Sequence, residues 1–111
     1  MNEKEVIVLN DDEIVQLYFE RSEESIAQSE EKYGRLCRSV IRRILPDERD
    51  AEECLSDVWI HTWNSIPPEK PRVLSAFLAR IARNLALDRL SYNHAEKRAS
   101  ALTEAFEELE P

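Results

Sequence analysis

Arg80, Arg83, Asn84 and Ser91 belong to the stretch Phe77-Leu-Ala-Arg-Ile-Ala-Arg-Asn-Leu-Ala-Leu-Asp-Arg-Leu90 and its continuation. Wound as a helix at about 100° per residue, the stretch places them on one side. Guanidinium groups there can hold phosphates and draw affinity from released counterions. The Asn84 amide can offer both a donor and an acceptor to a base edge. Leu74, Phe77, Leu78, Ile81, Leu85 and Tyr92 fall on the opposite stripe, the face a core would take. Asp88 lies at the edge of that stripe. A buried carboxylate needs a partner, so Asp88 is expected to pair with a basic side chain or backbone N–H groups. No second titratable group shares its face, which argues against an acid catalyst.

The charge around this helix is unlike that of the chain. Over 111 residues the formal net charge is -8, with 15 Lys and Arg against 23 Asp and Glu. From Arg72 to Arg98 the balance reverses: Arg72, Arg80, Arg83, Arg89, Lys97 and Arg98 stand against Asp88 and Glu96. A basic face on an acidic body suits selective rather than indiscriminate binding of a polyanion. A second basic series, Lys32, Arg35, Arg38, Arg42 and Arg43, lies upstream. A further phosphate-tracking surface and salt bridges to the acidic N-terminal block are equal alternatives for it. A second candidate face is acidic: Glu53, Asp57, Ile60 and Asn64 align at spacings of four, three and four, flanked by Ser56 and His61. Spacing alone reads this as a solvated face, but Ile60 is discordant, since an apolar side chain gains little from water. Acids around an apolar centre would combine steering with burial at a partner.

Four helices must position these residues. The first begins after Asn10, whose side chain can cap with Glu13 three residues on, and runs to about Arg21 with Ile14, Leu17 and Tyr18 inward. The second runs from about Glu23 to Leu45, with Ile26, Tyr33, Cys37, Val40, Ile41 and Ile44 repeating at threes and fours, and stops before Pro46. Asp47 caps a third, to about Ser65, with Ala51, Leu55, Val58, Trp59, Thr62 and Ile66 inward and Trp63 at the core edge. Pro67-Pro68-Glu69-Lys70-Pro71 forms a stiff loop. The fourth helix takes Pro71 in its first turn and runs to about Glu96. Four apolar stripes predict an all-α fold, a compact four-helix bundle. The organisation expected is an acidic N-terminal tail over 1–10, a helical domain over 11–98, and the start of an acidic linker over 99–111.

Composition excludes several classes. A single glycine, Gly34, and 34% charged residues argue for helices rather than tight turns. The 42% hydrophobic content is enough to fold. No apolar run is long enough for a membrane span, and residues 1–9 lack the basic and apolar regions of a signal peptide, so no membrane insertion and a cytoplasmic location are expected. Cys37 and Cys54 lie on or beside apolar stripes and read as reduced, buried thiols. His61 and His94 have no zinc spacing. Without a Gly-rich phosphate loop, a hydrolase triad or a Glu-x-x-His pair, no catalytic, cofactor-binding or metal-binding residue is assigned and no enzyme is expected. A DNA-binding repressor would want a short, glycine-containing turn between helices, which the proline-rich loop is not.

Phe77-Leu-x-x-Ile-Ala-Arg-Asn-Leu-Ala-Leu-Asp-x-Leu90, downstream of Asp50-Ala51-Glu52-Glu53, resembles the bacterial RNA polymerase sigma factors of the extracytoplasmic-function type. The resemblance is to their first conserved domain, region 2, and covers roughly residues 11 to 98. Trp59 through Trp63 match the same family's second motif, with Ser56 and Asp57 where Gln and Glu are usual. Tyr92-Asn93-His94-Ala95-Glu96-Lys97-Arg98 looks like the end of the domain in one subgroup. The resemblance implies a transcription initiation factor that binds core RNA polymerase, recognises and melts the promoter minus-ten element, and holds the non-template strand. It implies polymerase contacts from Glu53, Ser56, Asp57, Ile60, His61 and Asn64 to the clamp helices of the largest subunit. It implies DNA contacts from Arg72, Arg80, Arg83, Asn84, Arg89, Asn93, Lys97 and Arg98, with a pocket for a flipped base in the loop from Ser65 to Arg72. That loop contains no aromatic, so stacking there must come from elsewhere. An anti-sigma factor is a further implied partner. The family's second, helix-turn-helix domain is absent from this sequence. The alternative is a helical protein-interaction regulator that binds no nucleic acid.

Overall fold

Asn10 and Glu13 open the first helix by capping each other. The Asn10 side chain accepts from the Glu13 N–H at 2.8 Å, and the Glu13 carboxylate accepts from the Asn10 N–H at 3.0 Å. Two of the N–H groups left over at a helix start are satisfied in this way. The computed structural model describes residues 8–109, and four helices follow in order: α1 (Asp11–Phe19), α2 (Glu24–Ile44), α3 (Glu48–Ser65) and α4 (Leu74–Leu109). Residues 1–7 of the expected tail and 110–111 of the expected linker lie outside the described residues. No strand occurs among those described, and the all-α reading holds.

Helix α2 stops where Leu45 turns extended ahead of Pro46, and α3 starts where the Asp47 side chain accepts from the Asp50 N–H. Both ends follow from elementary rules: proline disfavours helix in the residue before it, and a short carboxylate caps the next one. The turn from α1 to α2 is less expected. Arg21 adopts φ 55°, a left-handed conformation uncommon for a residue with a side chain. Its guanidinium donates to the Trp63 carbonyl at 2.9 Å and the Ile66 carbonyl at 2.8 Å, and lies 3.7 Å from the centre of the Trp63 ring. One side chain thus satisfies the carbonyl end of α3 and ties it to the α1–α2 turn.

Ile14, Val15, Tyr18, Cys37, Ile41, Val58, Trp59, Ile66, Leu74 and Leu78 are among the side chains that form one continuous core. Helix α4 packs against both α2 and α3, while α1 packs on α2. Two buried serines set the α1–α2 contact. The Tyr18 hydroxyl and Ser29 Oγ lie 2.7 Å apart, and Ser29 donates to the Ser25 carbonyl at 2.8 Å. Small side chains there let the phenol reach in and find its partner, so the hydroxyls are buried without being orphaned.

Helix four differs from its expected limits at both ends. Pro71 lies in the loop, and the first helical bond runs from the Phe77 N–H to the Val73 carbonyl at 3.1 Å. The helix continues well past Glu96, to Leu109. Nothing in residues 97–109 breaks a helix: Ala99, Ala101, Leu102, Glu104, Ala105, Glu107 and Glu108 are good formers. Its buried line is Leu74, Leu78, Ala82 and Ala86, with Phe77, Ile81 and Leu85 half-buried beside it. Two expectations fail on this helix. Tyr92 is 60% exposed rather than part of the core, because the bundle does not cover α4 that far along. Asp88 is exposed and makes no ion pair or hydrogen bond among the described residues, so it needs no buried partner.

Both cysteines are buried and free. Burial pushes each thiol up to about 11, with the Asp57 charge adding to the effect at Cys54, so neither is a reactive thiolate near neutrality. No helix among the described residues is long and apolar enough to cross a membrane.

Candidate functional site

The acidic stripe of α3 starts from a helical repeat. Glu53, Asp57, Ile60 and Asn64 return to one side every turn, and Ser56, Glu53, Asp57, Ile60, His61 and Asn64 are all exposed. Ile60 leaves 59% of its surface in water. An apolar residue this exposed at the middle of a regular helix is unusual only in its company. Asp57, Ile60, His61, Asn64 and Ser65, with Leu85 from α4, line an open cleft of about 350 Å³. The stripe therefore borders a concavity between α3 and α4, with two apolar side chains in it and polar groups around them. Leu85 was legible only as a core residue; its half-buried position puts its other side into this cleft.

On α4 the basic and amide side chains divide into two groups. Arg80, Arg83 and Asn84 are exposed neighbours, at spacings of three and four, and none has a side-chain partner among the described residues. Lys97 and Arg98 are exposed further along the same helix, and Arg72 is exposed in the preceding loop. Arg89 and Asn93 are different. Arg89 donates to Asp50 at 2.6 Å and to Glu53 at 3.0 Å, and its Nε donates to the Asn93 side-chain oxygen at 3.3 Å. Asn93 in turn donates to the second Asp50 oxygen at 2.8 Å.

This four-residue network was not foreseen, although its signal was in the sequence. Asp50 and Glu53 stand three apart on α3, and Arg89 and Asn93 four apart on α4, so each pair shares one face of its helix. The guanidinium fork reaches both carboxylates at once, and the amide takes the remaining Asp50 oxygen. Glu53 thereby belongs to two sets: the stripe on α3 and the bridge to α4. The bridge fixes the outward face of α3 against the outward face of α4.

The basic side of α2 is largely answered from within the protein. Lys32 pairs with Asp11 at 2.8 Å, Arg42 with Glu48 at 3.4 Å, and Arg38 with Glu52. Of these acids only Asp11 lies in the N-terminal block; Glu48 and Glu52 are on α3. Salt bridging is thus the reading favoured for these three residues, while Arg35 and Arg43 are exposed and have no such pair among the described residues. Asp11 also accepts from the Tyr33 hydroxyl with both oxygens, each at 2.8 Å. Burial, the largest single influence, raises the Asp11 carboxyl, but the hydrogen bonds from Lys32 and Tyr33 and the Lys32 charge together hold it below its ordinary value. Burial and the same carboxylate push the Tyr33 phenol up to about 12.

Neither face carries a nucleophile beside a base or a donor set converging on a reacting atom, so what the arrangement can do is bind. Comparison with known proteins bears on what it binds. The family model for sigma-70 region 2 matches residues 31–96, more than half of the chain and a span that contains the α3 stripe, Arg80, Arg83 and Asn84, and the bridge between the two helices. Neither the curated proteins nor the solved structures give a match.

Proposed function

The chain belongs to the sigma-70 region 2 family, non-catalytic transcription initiation domains that bind RNA polymerase and melt promoter DNA, and from that premise we propose how this one divides the work between its two faces. The α3 stripe, Glu53, Ser56, Asp57, Ile60, His61 and Asn64, docks on the clamp helices of the polymerase's largest subunit. Ile60 and Leu85 supply the apolar centre, and the acids around them steer a basic partner surface. The face of α4 holds the non-template strand of the minus-ten element. Arg80 and Arg83 grip phosphates, Asn84 reads a base edge, and Arg72, Lys97 and Arg98 extend the phosphate track to either side. Arg89 and Asn93 act through the bridge rather than as free contacts: they hold α4 at a fixed angle to the docked α3.

The observation that carries this reading is the coincidence of an exposed isoleucine in a cleft on α3 with unengaged arginines and an asparagine on the adjoining helix. In the finer classification we take the chain to be of the extracytoplasmic-function type, acting in the cytoplasm and subject to an anti-sigma factor, as the motif wording implies. The test of the docking face is Ile60→Glu. An exposed substitution should leave the thermal melt nearly unchanged, while a charge at the centre of the interface should abolish capture of core polymerase in a pull-down. Undiminished capture would move the docking surface off α3 and favour a regulator that meets other partners.

A further inference from the structure

Pro67, Pro68 and Pro71 stand in the loop between Ile66 and Leu74. Each fixes its own φ and removes an N–H, so the loop is stiff but has little backbone with which to hold itself. Among the described residues it donates one backbone hydrogen bond, from the Glu69 N–H to the Ser65 carbonyl at 2.9 Å. The loop carries Arg72, exposed and without an ion pair among the described residues, and leads into the helix that presents Arg80, Arg83 and Asn84. Its entry is fixed by a side chain from the α1–α2 turn. Arg21 Nη1 donates to the Trp63 carbonyl at 2.9 Å and to the Ile66 carbonyl, the group joined to Pro67, at 2.8 Å. The guanidinium also lies 3.7 Å from the centre of the Trp63 ring. Arg21 holds φ 55° in doing so. That conformation is costly for a residue with a Cβ and persists where surrounding contacts impose it.

We infer that Arg21 is a positioning residue for strand binding: it sets the α3–α4 loop so that Arg72 meets phosphate in line with Arg80 and Arg83. This role rests on the reading of α4 as the strand-holding face. Arg21 acts through the loop rather than on the strand, because its guanidinium is engaged by two carbonyls and a ring. The prolines make the coupling possible, since a stiff loop carries its setting at Ile66 on to Arg72, where a flexible one would lose it. Arg89 fixes the Asp50 end of α3 against α4. Arg21 works at the other end, where α3 gives way to the loop.

The test is a double-mutant cycle on strand affinity. Labelled single-stranded non-template DNA is titrated with the full chain at saturating core polymerase, and anisotropy is read across a salt series. Arg21→Gly keeps the left-handed turn and removes the clamp; Arg21→Asn does the same with a side chain that tolerates this conformation. Thermal melts set a temperature at which the variants are folded. Arg72→Ala alone should flatten the salt slope by about one unit. Arg21→Gly or Arg21→Asn alone should flatten it similarly, and adding Arg72→Ala should then change nothing further. Arg98→Ala, at the far end of the track, should keep its full effect in either background, which a general loosening of the fold would not allow. Additivity between Arg21 and Arg72 overturns the inference. So does a wild-type slope in the Arg21 variants or in Arg72→Ala. Should Arg80→Ala and Arg83→Ala also leave binding unchanged, the strand-holding reading of α4 falls with it. Weakened binding in those two variants beside an additive cycle would sink the role of Arg21 alone.

Discussion

Arg83 and Asn84 are adjacent in sequence and exposed side by side, but their chemistry separates their expected effects. A guanidinium on a phosphate contributes to every sequence alike. Arg83→Ala should therefore weaken all single-stranded targets together and flatten the salt dependence by about one unit. An amide on a base edge matters at one position, so Asn84→Ala should cost on the order of 1–3 kcal/mol for the preferred base and relax the preference there. Fluorescence anisotropy over the four bases at each position, with polymerase bound and at two salt concentrations, separates the two; reversed effects would exchange the roles. Asp11 gives a pH prediction on stability. Its folded-state carboxyl is held below the ordinary value by Lys32 and Tyr33. A depressed carboxyl contributes stability that is present above the unfolded value, roughly pH 4, and is lost as pH falls through the lower folded value. Thermal melts should show wild type above Asp11→Asn near neutrality, with the gap shrinking on acidification through that window. A gap that holds constant into strong acid would mean that the Asp11 carboxylate is not what stabilises this corner.

At the scale of elements, the bridge between α3 and α4 carries the sharpest expectation. Arg89 uses both terminal nitrogens and Nε at once, on Asp50, Glu53 and Asn93. Lysine keeps the charge but has no planar fork, so Arg89→Lys should behave like Arg89→Ala rather than rescue it. Both should lower the melting temperature and weaken polymerase capture and strand binding together; full rescue by lysine would reduce the bridge to simple charge pairing. The helices themselves were legible. Apolar residues at threes and fours, the Asn10 and Asp47 caps and the Pro46 stop predict α1, α2 and α3 to within about two residues. What escaped notice depends on the third dimension. The burial of Ser25, Ser29, Ala82 and Ala86 reflects close approach between helices, which small residues permit but do not announce. Tyr92 and Asp88 were misjudged because a helical wheel has no length: it gives the side a residue faces but not where the neighbouring helices end. The extension of α4 to Leu109 was legible in the helix formers of residues 97–109, which the reading of that segment as a linker passed over. Of the two faces, the exposure of the Ile60 stripe and of Arg80, Arg83 and Asn84 was foreseen. The engagement of Arg89 and Asn93 was not, since it needs Asp50 and Glu53 brought across from another helix.

For the whole molecule, charge is the governing quantity. A body of formal net charge -8 opposes its own approach to nucleic acid. Much of the basic side of α2 is spent on internal pairs with Asp11, Glu48 and Glu52. The exposed cations of α4 and the loop before it thus form the main basic surface left for a strand. In the proposed role the domain binds DNA feebly when free, and polymerase, docked through α3, sets α4 beside the separated strands. In the proposed role Asn84 meets a Watson–Crick edge, which pairing occupies in a duplex, so the strand it reads has its bases unpaired. The most direct test is the affinity of the polymerase-bound domain for labelled non-template strand against the same sequence as duplex, measured by anisotropy across a salt series. The account predicts tighter binding to the single strand, falling steeply as salt rises. A preference for duplex, or binding to the single strand that ignores salt, would contradict it.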